Sequence, residues 1–328
     1  MSTMTRSGTR NLTLGQRFLA NEWSALAVAI VIGLVVLATL SPAFLTEFNL
    51  YVMLRSFCVV LIVAFAQMLT LAVGQMNLSV GALGGLVAIA VGGMMEKWGF
   101  PVPVAILAGL AVAAGGGLIN GLLTVRTGIN GFIITLATAS AFTGINLGIT
   151  ESIPFYNLPA GFVAFGTGRL GFLPYLLLPP VLIAIALAFF LARTVPGRQL
   201  LAVGGNPHAA ELSGIPRDRV IVMAHTLSGL LAGAAAILAV AQLGSAQPSI
   251  GVDWLLMSFA APIIGGAALT GGHISVAATA LAVVLIVIIQ NGMVLAKVDP
   301  YWVQFLLGAL ILAAVGLNRL RAVRAGGA

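Results

Sequence analysis

The sequence predicts an all-α, polytopic membrane protein, and its composition and apolar runs support this fold class. Hydrophobic residues make up 60% of the 328 residues, charged residues make up only 7%, and the mean hydropathy is +1.12. A soluble domain carries about 25% charged residues, so this chain has too few polar groups to cover a surface in water. Apolar runs of about 18 or more residues recur along the chain, and such runs cross a bilayer as helices. Barrel strands would instead alternate over segments of about 10 residues.

Ten membrane-spanning helices are expected from these runs. The third and eighth are short and rich in glycine, and at least one span is expected to be a broken helix. In chain order the expected spans are residues 24–42, 52–74, 79–95, 102–124, 132–149, 173–193, 220–240, 254–269, 274–296 and 301–317.

The basic residues support an even number of spans and indicate their orientation. With the N-terminus in the cytoplasm, 11 of the 15 Lys and Arg residues lie in inner segments, and the outer segments hold only Arg55, Lys97, Arg169 and Lys297. Such an excess of positive charge is typical of the cytoplasmic side of membrane proteins. An even count also places both basic termini inside.

The chain is expected to form one transmembrane domain at residues 24–318, with cytoplasmic tails at 1–23 and 319–328. A longer cytoplasmic segment is expected at 194–219. The first apolar run is expected to stay as a span, because it is long for a signal peptide and lacks a clear cleavage site. The outer segment 151–172 is rich in Gly, Pro and aromatic residues. It is interpreted either as a lid or docking surface, or as an interfacial loop anchored by its aromatic side chains.

The sequence shows no catalytic constellation. Its three histidines are far apart and lack metal-ligand spacing, and there is no phosphate-binding G-x-x-x-x-G-K-[ST] loop. We therefore expect no metal and no cofactor bound by this chain, and any ATP must be hydrolysed by another chain. The net charge of +7 is spread among membrane loops, which argues against nucleic acid as a partner.

The acidic residues all fall in loops or at span ends, which disfavours proton coupling. A proton-coupled carrier usually keeps a titratable side chain inside the membrane. Only His225, near the start of a span, has that position. Sodium coupling through backbone carbonyls stays open.

The most informative cytoplasmic stretch follows Pro196-Gly197-Arg198. Gly204-Gly205 permits a tight turn, and Asn206-Pro207 resembles an Asn N-cap with Pro at the first helical position. Residues 207–212 are then predicted to form a short helix that stops at Gly214 and Pro216. Such a helix could transmit force from a soluble partner, or the segment could be an ordinary turn between spans.

This stretch closely resembles the coupling segment of ABC permeases of the ribose and related monosaccharide uptake family, which usually reads G-R-x-x-x-A-V-G-G-N-x-x-A-A-x-x-S-G-I. The resemblance implies that the segment docks into a groove on a cytoplasmic ATPase, which uses ATP and Mg²⁺. It also implies an extracytoplasmic solute-binding protein as a second partner. The ATPase-coupling residues implied are Gly204, Gly205, Asn206, Pro207, Ala209, Ala210, Glu211, Ser213 and Gly214.

A second motif, at residues 74–81, resembles the family's G-x-I-D-L-S-V-G, with Asn77 where the family usually has Asp. Residues 132–138 resemble its P-F-I-x-T-L-x-T, with Gly131 in place of the common Pro. Further matches at 117–122, 245–248 and 264–272 extend the resemblance from about residue 50 to 320.

The stretch at 74–81 also reads as an interruption between two apolar segments. Broken helices are tolerated at membrane depth only inside protein or facing a cavity. Polar and aromatic side chains near it are candidates for the substrate pathway of a neutral, hydroxyl-rich solute, although each could equally be a helix–helix hydrogen bond. These candidates are Gln75, Asn77, Ser79, Asn120, Phe132, Thr135, Thr138 and Asn146.

The resemblance implies the translocating permease subunit of an ABC importer in the bacterial inner membrane, for a monosaccharide or similar polyhydroxy solute. Because ATPases act in pairs, a second permease copy is expected, either identical or a close relative. Two alternatives stay open, namely a self-contained secondary carrier or channel and an ABC permease for amino acids. A purely structural membrane protein is the least favoured interpretation.

Overall fold

The structure is a computed structural model that describes residues 22–299 and 302–326. Most of the expected N-terminal tail (1–23) and the first residue of the expected tenth span lie outside the described residues. The α-helices are, in order, α1 (Glu22–Leu40), α2 (Glu47–Ala72), α3 (Val80–Glu96), α4 (Val102–Thr127), α5 (Gly131–Thr150), α6 (Ala160–Thr167), α7 (Leu178–Arg193), α8 (Val195–Gly205), α9 (Pro207–Leu212), α10 (Arg217–Leu243), α11 (Trp254–Ile264), α12 (Val276–Leu295) and α13 (Trp302–Gly326).

The all-α prediction is confirmed in its coarse form. Among the described residues, six helical segments are long and apolar enough to cross a membrane, namely α2, α4, α5, α10, α12 and the stretch Tyr175–Arg193. Shorter apolar helices lie within α1, α3, α11 and α13. Each of the ten expected spans therefore contains one apolar helix, and the 11-residue α11 is too short to cross a bilayer when taken alone.

Two expected helix boundaries are wrong, and each has a local cause. The sixth span does not begin as a helix, because Leu173–Pro174 (β2) pairs antiparallel with Arg169–Leu170 (β1) and the α-helix starts only at residue 178. The helix of the eighth span ends at Ile264, where Gly265 caps it and Gly266 adopts φ +87°. At the C-terminus, α13 continues through residues 319–326, so the part of the expected cytoplasmic tail that the structure describes is helical.

The outer segment 151–172 is tied onto the bundle. Phe155 exchanges two backbone hydrogen bonds of 2.9 Å with Ala246, and its buried ring packs against Gly93. Helix α6 follows and packs on α10, so closely that a Cβ built on Gly166 would lie 1.8 Å from the carbonyl oxygen of Ala241. Phe155 and Phe162 are buried while Tyr156 is exposed, so part of the segment packs into the bundle and part lies at the surface.

Helix α10 is the central element, and it packs against α4, α2 and α3. Glycines make the contact with α4 close. A Cβ built on Gly229 would lie 2.5 Å from the carbonyl oxygen of Ala113, and one built on Gly117 would lie 2.4 Å from that of His225. Small residues at such contacts let helix backbones approach in lipid, where hydrophobic attraction between helices is lacking.

The glycine contact between α4 and α10 can be tested by substitution. We expect Gly229→Leu to lower the thermal unfolding temperature of the purified protein, because overpacking costs about 1–3 kcal/mol and here the obstacle is backbone. Gly115→Leu is the control on α4, since nothing lies within 4 Å of a Cβ at that position. Equal unfolding temperatures for the two variants would contradict the packing described.

Candidate functional site

The interruption predicted between the second and third spans is present. Helix α2 ends at Ala72 and α3 begins at Val80, and the residues between them are not helical. Gly74 adopts φ +69°, and a Cβ there would lie 2.7 Å from the carbonyl oxygen of Thr270. Glycine is therefore required at this position both by backbone conformation and by the close approach of the loop that follows α11.

Asn77 lies at the centre of the interruption and is fully buried. Its Oδ1 accepts hydrogen bonds from the backbone N–H (3.0 Å) and the hydroxyl (2.7 Å) of Ser79, and its Nδ2 donates to Ser228 Oγ (2.9 Å). In the amide orientation that satisfies both groups, Gln67 donates to the Asn77 carbonyl at 2.8 Å and accepts from its N–H at 3.2 Å. One residue thus joins α2, the start of α3 and α10.

The hydrogen bonds continue from Ser79 to α4 and α5. Asn120 Nδ2 donates to Ser79 Oγ (2.7 Å), and its Oδ1 accepts from Thr138 Oγ1 (2.6 Å). All three side chains are buried. We call Gln67, Asn77, Ser79, Asn120, Thr135, Thr138 and Ser228, together with Gln75, the central polar cluster.

The start of α5 is held to the interruption by two side chains. Gln75 Oε1 accepts from the Gly131 N–H (3.0 Å), and Thr135 Oγ1 accepts from the Leu78 N–H (3.0 Å). This contact explains why residue 131 is glycine where the family usually has proline. A proline there would have no N–H to donate to Gln75, and a Cβ would lie 2.5 Å from Gln75 Oε1.

His225 lies beside this contact without a hydrogen-bond partner. Its ring is fully buried, and neither ring nitrogen is paired among the described residues. Nε2 lies 3.3 Å from where a Cβ on Gly131 would be, next to Gln75. His225 is thus a titratable side chain at the edge of the central polar cluster, one helical turn from Ser228 on α10.

The structure brings together six of the eight candidate pathway residues and separates two. Gln75, Asn77, Ser79, Asn120, Thr135 and Thr138 belong to the central polar cluster. Phe132 is 43% exposed on the other side of α5. Asn146 is buried farther along α5, where it donates to the carbonyl of Pro248 at 3.0 Å.

In this conformation the cluster satisfies its own polar groups, so the six side chains hold the interruption closed. Their contact with a solute stays a prediction. Sequence reasoning missed Gln67 and Ser228 as members. Both are polar residues within apolar spans, and that position is the signal that could have found them.

The cytoplasmic segment has the predicted short helix. Asn206 caps α9, since its Oδ1 accepts from the Ala209 N–H at 3.0 Å, and Pro207 is the first helical residue. The predicted turn at Gly204-Gly205 is wrong, because both residues end helix α8 and the chain breaks at Asn206. Gly204 instead lets the backbones of α8 and α2 approach closely, because a Cβ built on it would lie 1.7 Å from the carbonyl oxygen of Ala72.

Helix α9 is mostly exposed and is anchored to the core by one buried residue. Ala210 is buried in the core, whereas Leu212 is 78% exposed. Glu211 forms an exposed ion pair with Arg217 at 3.4 Å. Gly214 adopts φ +78°, which ends the segment as predicted. Asn206, Pro207, Ala209 and Ser213 are exposed as well, so most of this helix is exposed.

Within the described part of the chain, no group of three or more His, Cys, Asp or Glu side chains is placed to hold a metal ion. The chemistry that the site offers is hydrogen bonding. It comes from amides and hydroxyls, with a buried imidazole beside them.

Membrane-spanning helices interrupted by a buried polar stretch are typical of membrane transport proteins. The chain belongs to a family of permeases, since the family model described as the permease component of branched-chain amino acid transport systems matches residues 49–315. It is a multi-pass inner-membrane transport component and not an enzyme. No solved structure matches the chain.

Individual relatives cover nearly the whole sequence. The ribose import permease protein RbsC of Bacillus subtilis is 35% identical over 287 residues, which are 87% of this chain and 89% of the relative. The D-allose transport system permease protein AlsC of Escherichia coli is 31% identical over 301 residues, 91% of this chain and 92% of the relative. The fructose import permease protein FrcC of Rhizobium meliloti is 31% identical over 314 residues, 93% and 87% respectively. These matches confirm the resemblance to monosaccharide permeases.

The role of Asn77 can be tested with two substitutions of similar size. Asn77→Leu removes the acceptor of two hydrogen bonds and the donor of a third, and each buried group left unpaired costs about 1–3 kcal/mol. Asn77→Asp keeps the acceptor, and the Ser228 hydroxyl can either donate to the new carboxyl or accept from it. We expect thermal unfolding of the purified protein to show a large loss of stability for Leu and a small one for Asp. Equal losses would contradict the hydrogen-bond assignment.

Proposed function

We propose that this chain is the translocating permease subunit of a bacterial ABC importer for a monosaccharide or similar polyhydroxy solute. A separate cytoplasmic ATPase supplies the energy, an extracytoplasmic binding protein delivers the solute, and a second permease copy, identical or related, completes the pathway. The observation that carries the proposal is the exposed, capped helix α9 in a chain whose relatives include import permeases of ribose and fructose and a transport-system permease of allose.

The topology proposed has ten spans and both termini in the cytoplasm. Each expected span contains an apolar helix, and the distribution of 11 inner and 4 outer basic residues favours an even count. The short helices α3 and α11 lie next to non-helical segments, at residues 73–79 and 265–275. These segments lengthen the two spans without lengthening their helices.

A polyhydroxy solute suits the chemistry of the central polar cluster. Its side chains are amides and hydroxyls, and the aspartate common at residue 77 in the family is replaced by asparagine. We propose that the six clustered candidates, with Phe132 and Asn146, contact the solute when the helices around the interruption separate. The unpaired ring of His225 would then add a donor and an acceptor, which match one hydroxyl group.

A branched-chain amino acid is the second candidate solute, and the description of the matched family favours it. An amino acid carries both charges, and the central polar cluster contains no ionised side chain. Helix ends could bind those charges instead. The neutral cluster therefore favours the sugar.

Coupling to the ATPase is proposed to run through α9. Ala210 anchors the helix in the core, and the exposed Leu212 and Glu211 face away from it. Force applied to α9 reaches α2 directly, because Gly204, at the end of α8, packs on the last carbonyl of α2. The interruption begins one residue later, so the docking surface and the polar cluster are joined by a short, rigid connection.

Uptake into vesicles tests the function as a whole. We expect the permease, reconstituted into vesicles with its ATPase and binding protein, to accumulate a labelled monosaccharide. This uptake should require ATP on the side of the membrane where the ATPase lies. Uptake by the permease alone, in vesicles without ATP, would show a secondary carrier or channel. Preference for leucine over ribose by the complete system would show the amino-acid permease.

Substitution of Glu211 tests the coupling surface. We expect Glu211→Arg to reduce solute-stimulated ATP hydrolysis and uptake while the protein still folds, because the lost ion pair is exposed and is worth about 0–1 kcal/mol. The control is Glu47→Arg, which makes the same charge change on an exposed residue. Glu47 is the first residue of α2, at the end of that helix far from Gly204. Unchanged transport by the Glu211 variant would mean that the segment only connects two spans.

A further inference from the structure

Two of the four basic residues on the outer side converge on one tyrosine ring. The guanidinium of Arg55, on α2, lies 5.3 Å from the centre of the Tyr51 ring, and that of Arg169, in β1, lies 5.1 Å from it. Tyr51 is buried, and its hydroxyl donates to the carbonyl of Thr167 at 2.7 Å. The ring is therefore fixed between α2 and the end of α6, and it holds two cations close together.

Among the residues that the structure describes, neither arginine pairs with a carboxylate. Arg55 donates through Nη2 to the carbonyl of Gln242, and its buried Nε has no partner. The ion pair of Arg217 with Glu211 lies far from these two arginines, on the cytoplasmic side. Cation–π contacts offset part of the cost of bringing two guanidiniums together, but they do not neutralise the charge. The arrangement is therefore a local excess of positive charge where the positive-inside rule predicts little.

An apolar pocket of about 450 Å³ is lined in part by α6, whose last residue, Thr167, accepts the hydrogen bond from Tyr51. Helices α2, α4, α6, α7 and α10 form its walls, which are apolar throughout and include Ile62, Ile106, Phe162, Phe165, Ile183 and Ala241. Phe165 also lines a second apolar groove of about 530 Å³, which continues along Leu170 and Leu173 of the hairpin that carries Arg169.

The chain itself connects the pocket to the arginines. Ala241 lines the pocket, and the next residue, Gln242, accepts the hydrogen bond from Arg55. On α2, Ile62 lies seven residues after Arg55, on the same face and about 10 Å farther into the membrane. Charge at the outer end and apolar walls below it are arranged along the membrane normal, as in a phospholipid.

We propose that this is a binding site for an anionic phospholipid of the outer leaflet. Its phosphate binds between Arg55 and Arg169, where guanidiniums offer several N–H donors to an anion. One acyl chain fills the pocket beneath α6. An acidic protein surface would also complement the arginines, but it would leave the adjoining apolar walls uncovered. The lipid accounts for both features.

Native mass spectrometry tests the site. The purified full chain is extracted from vesicles of equal parts phosphatidylcholine and phosphatidylglycerol, and the lipids it retains are counted. We expect wild type to retain phosphatidylglycerol in preference to phosphatidylcholine. In the double variant Arg55→Gln/Arg169→Gln, we expect that preference to fall by about 25-fold, since each cation near an anionic lipid contributes a factor of about five. Lys97→Gln/Lys297→Gln removes the same charge from the other outer basic residues and should keep the preference.

A second variant tests the acyl-chain half of the site. Nothing lies within 4 Å of a Cβ on Gly161, which lines the pocket, so Gly161→Phe should fill the pocket without displacing the helices. We expect it to reduce retention of phosphatidylglycerol, whereas Gly115→Phe on α4, also with open space at its Cβ, should not.

Three results would overturn the proposal. One is equal retention of the two lipids by wild type, and another is unchanged retention by either site variant. The third is loss of binding-protein capture by the arginine double variant with lipid retention intact, which would identify the pair as a protein docking surface. Each variant's fold is checked by its thermal unfolding, and Arg169→Gln alone, at an exposed position, serves if the double variant is unstable.

Discussion

A backbone that leaves the helix inside a membrane must find all its hydrogen bonds within the protein, and the structure depends on meeting this requirement at residues 73–79. An unpaired backbone group in hydrocarbon costs several kcal/mol. Gly74 and Gln75 bond back to the last turn of α2, at Leu71 and Thr70. Beyond them the bonds come from side chains of other elements, with Gln67 on Asn77, Thr135 on Leu78 and Asn77 on Ser79. The interruption therefore exists only when α2, α4, α5 and α10 are packed around it.

This requirement links the architecture to the mechanism proposed. The cluster that closes the interruption consists of neutral donors and acceptors, which can exchange partners at low cost, and a solute rich in hydroxyls offers equivalent partners. Glycines bring the surrounding backbones close enough for short side chains to bridge them, as at Gly117 and Gly229. In the coupling proposed, α9 acts at the other end, through the contact of Gly204 with the end of α2. In that proposal, movement of α9 reaches the cluster through packed backbone.

The sequence allowed the fold class, the interruption and the cap at Asn206 to be predicted, because each depends on local composition or local hydrogen bonding. The residues that complete the cluster depend on contacts between distant segments. Ser228 is 151 positions from its partner Asn77, and although its place within an apolar span singles it out, no local pattern pairs it with Asn77. Gly204 was interpreted as a turn residue because glycine permits turns, whereas its role is set by the nearness of Ala72. Gly131 stands where the family usually has proline, and the reason, its hydrogen bond to Gln75, is visible only in the structure.

Hydrogen–deuterium exchange of the backbone amides at residues 74–79, with the protein in a lipid bilayer, tests the central claim most directly. The account predicts that the amides of Leu78 and Ser79 exchange as slowly as those of the buried helices α2 and α10, although neither lies in a helix. It also predicts that Asn77→Leu makes the Ser79 amide exchange faster. Fast exchange of both amides in the wild-type protein, at the rate of the exposed loop at 151–153, would contradict a sealed interruption.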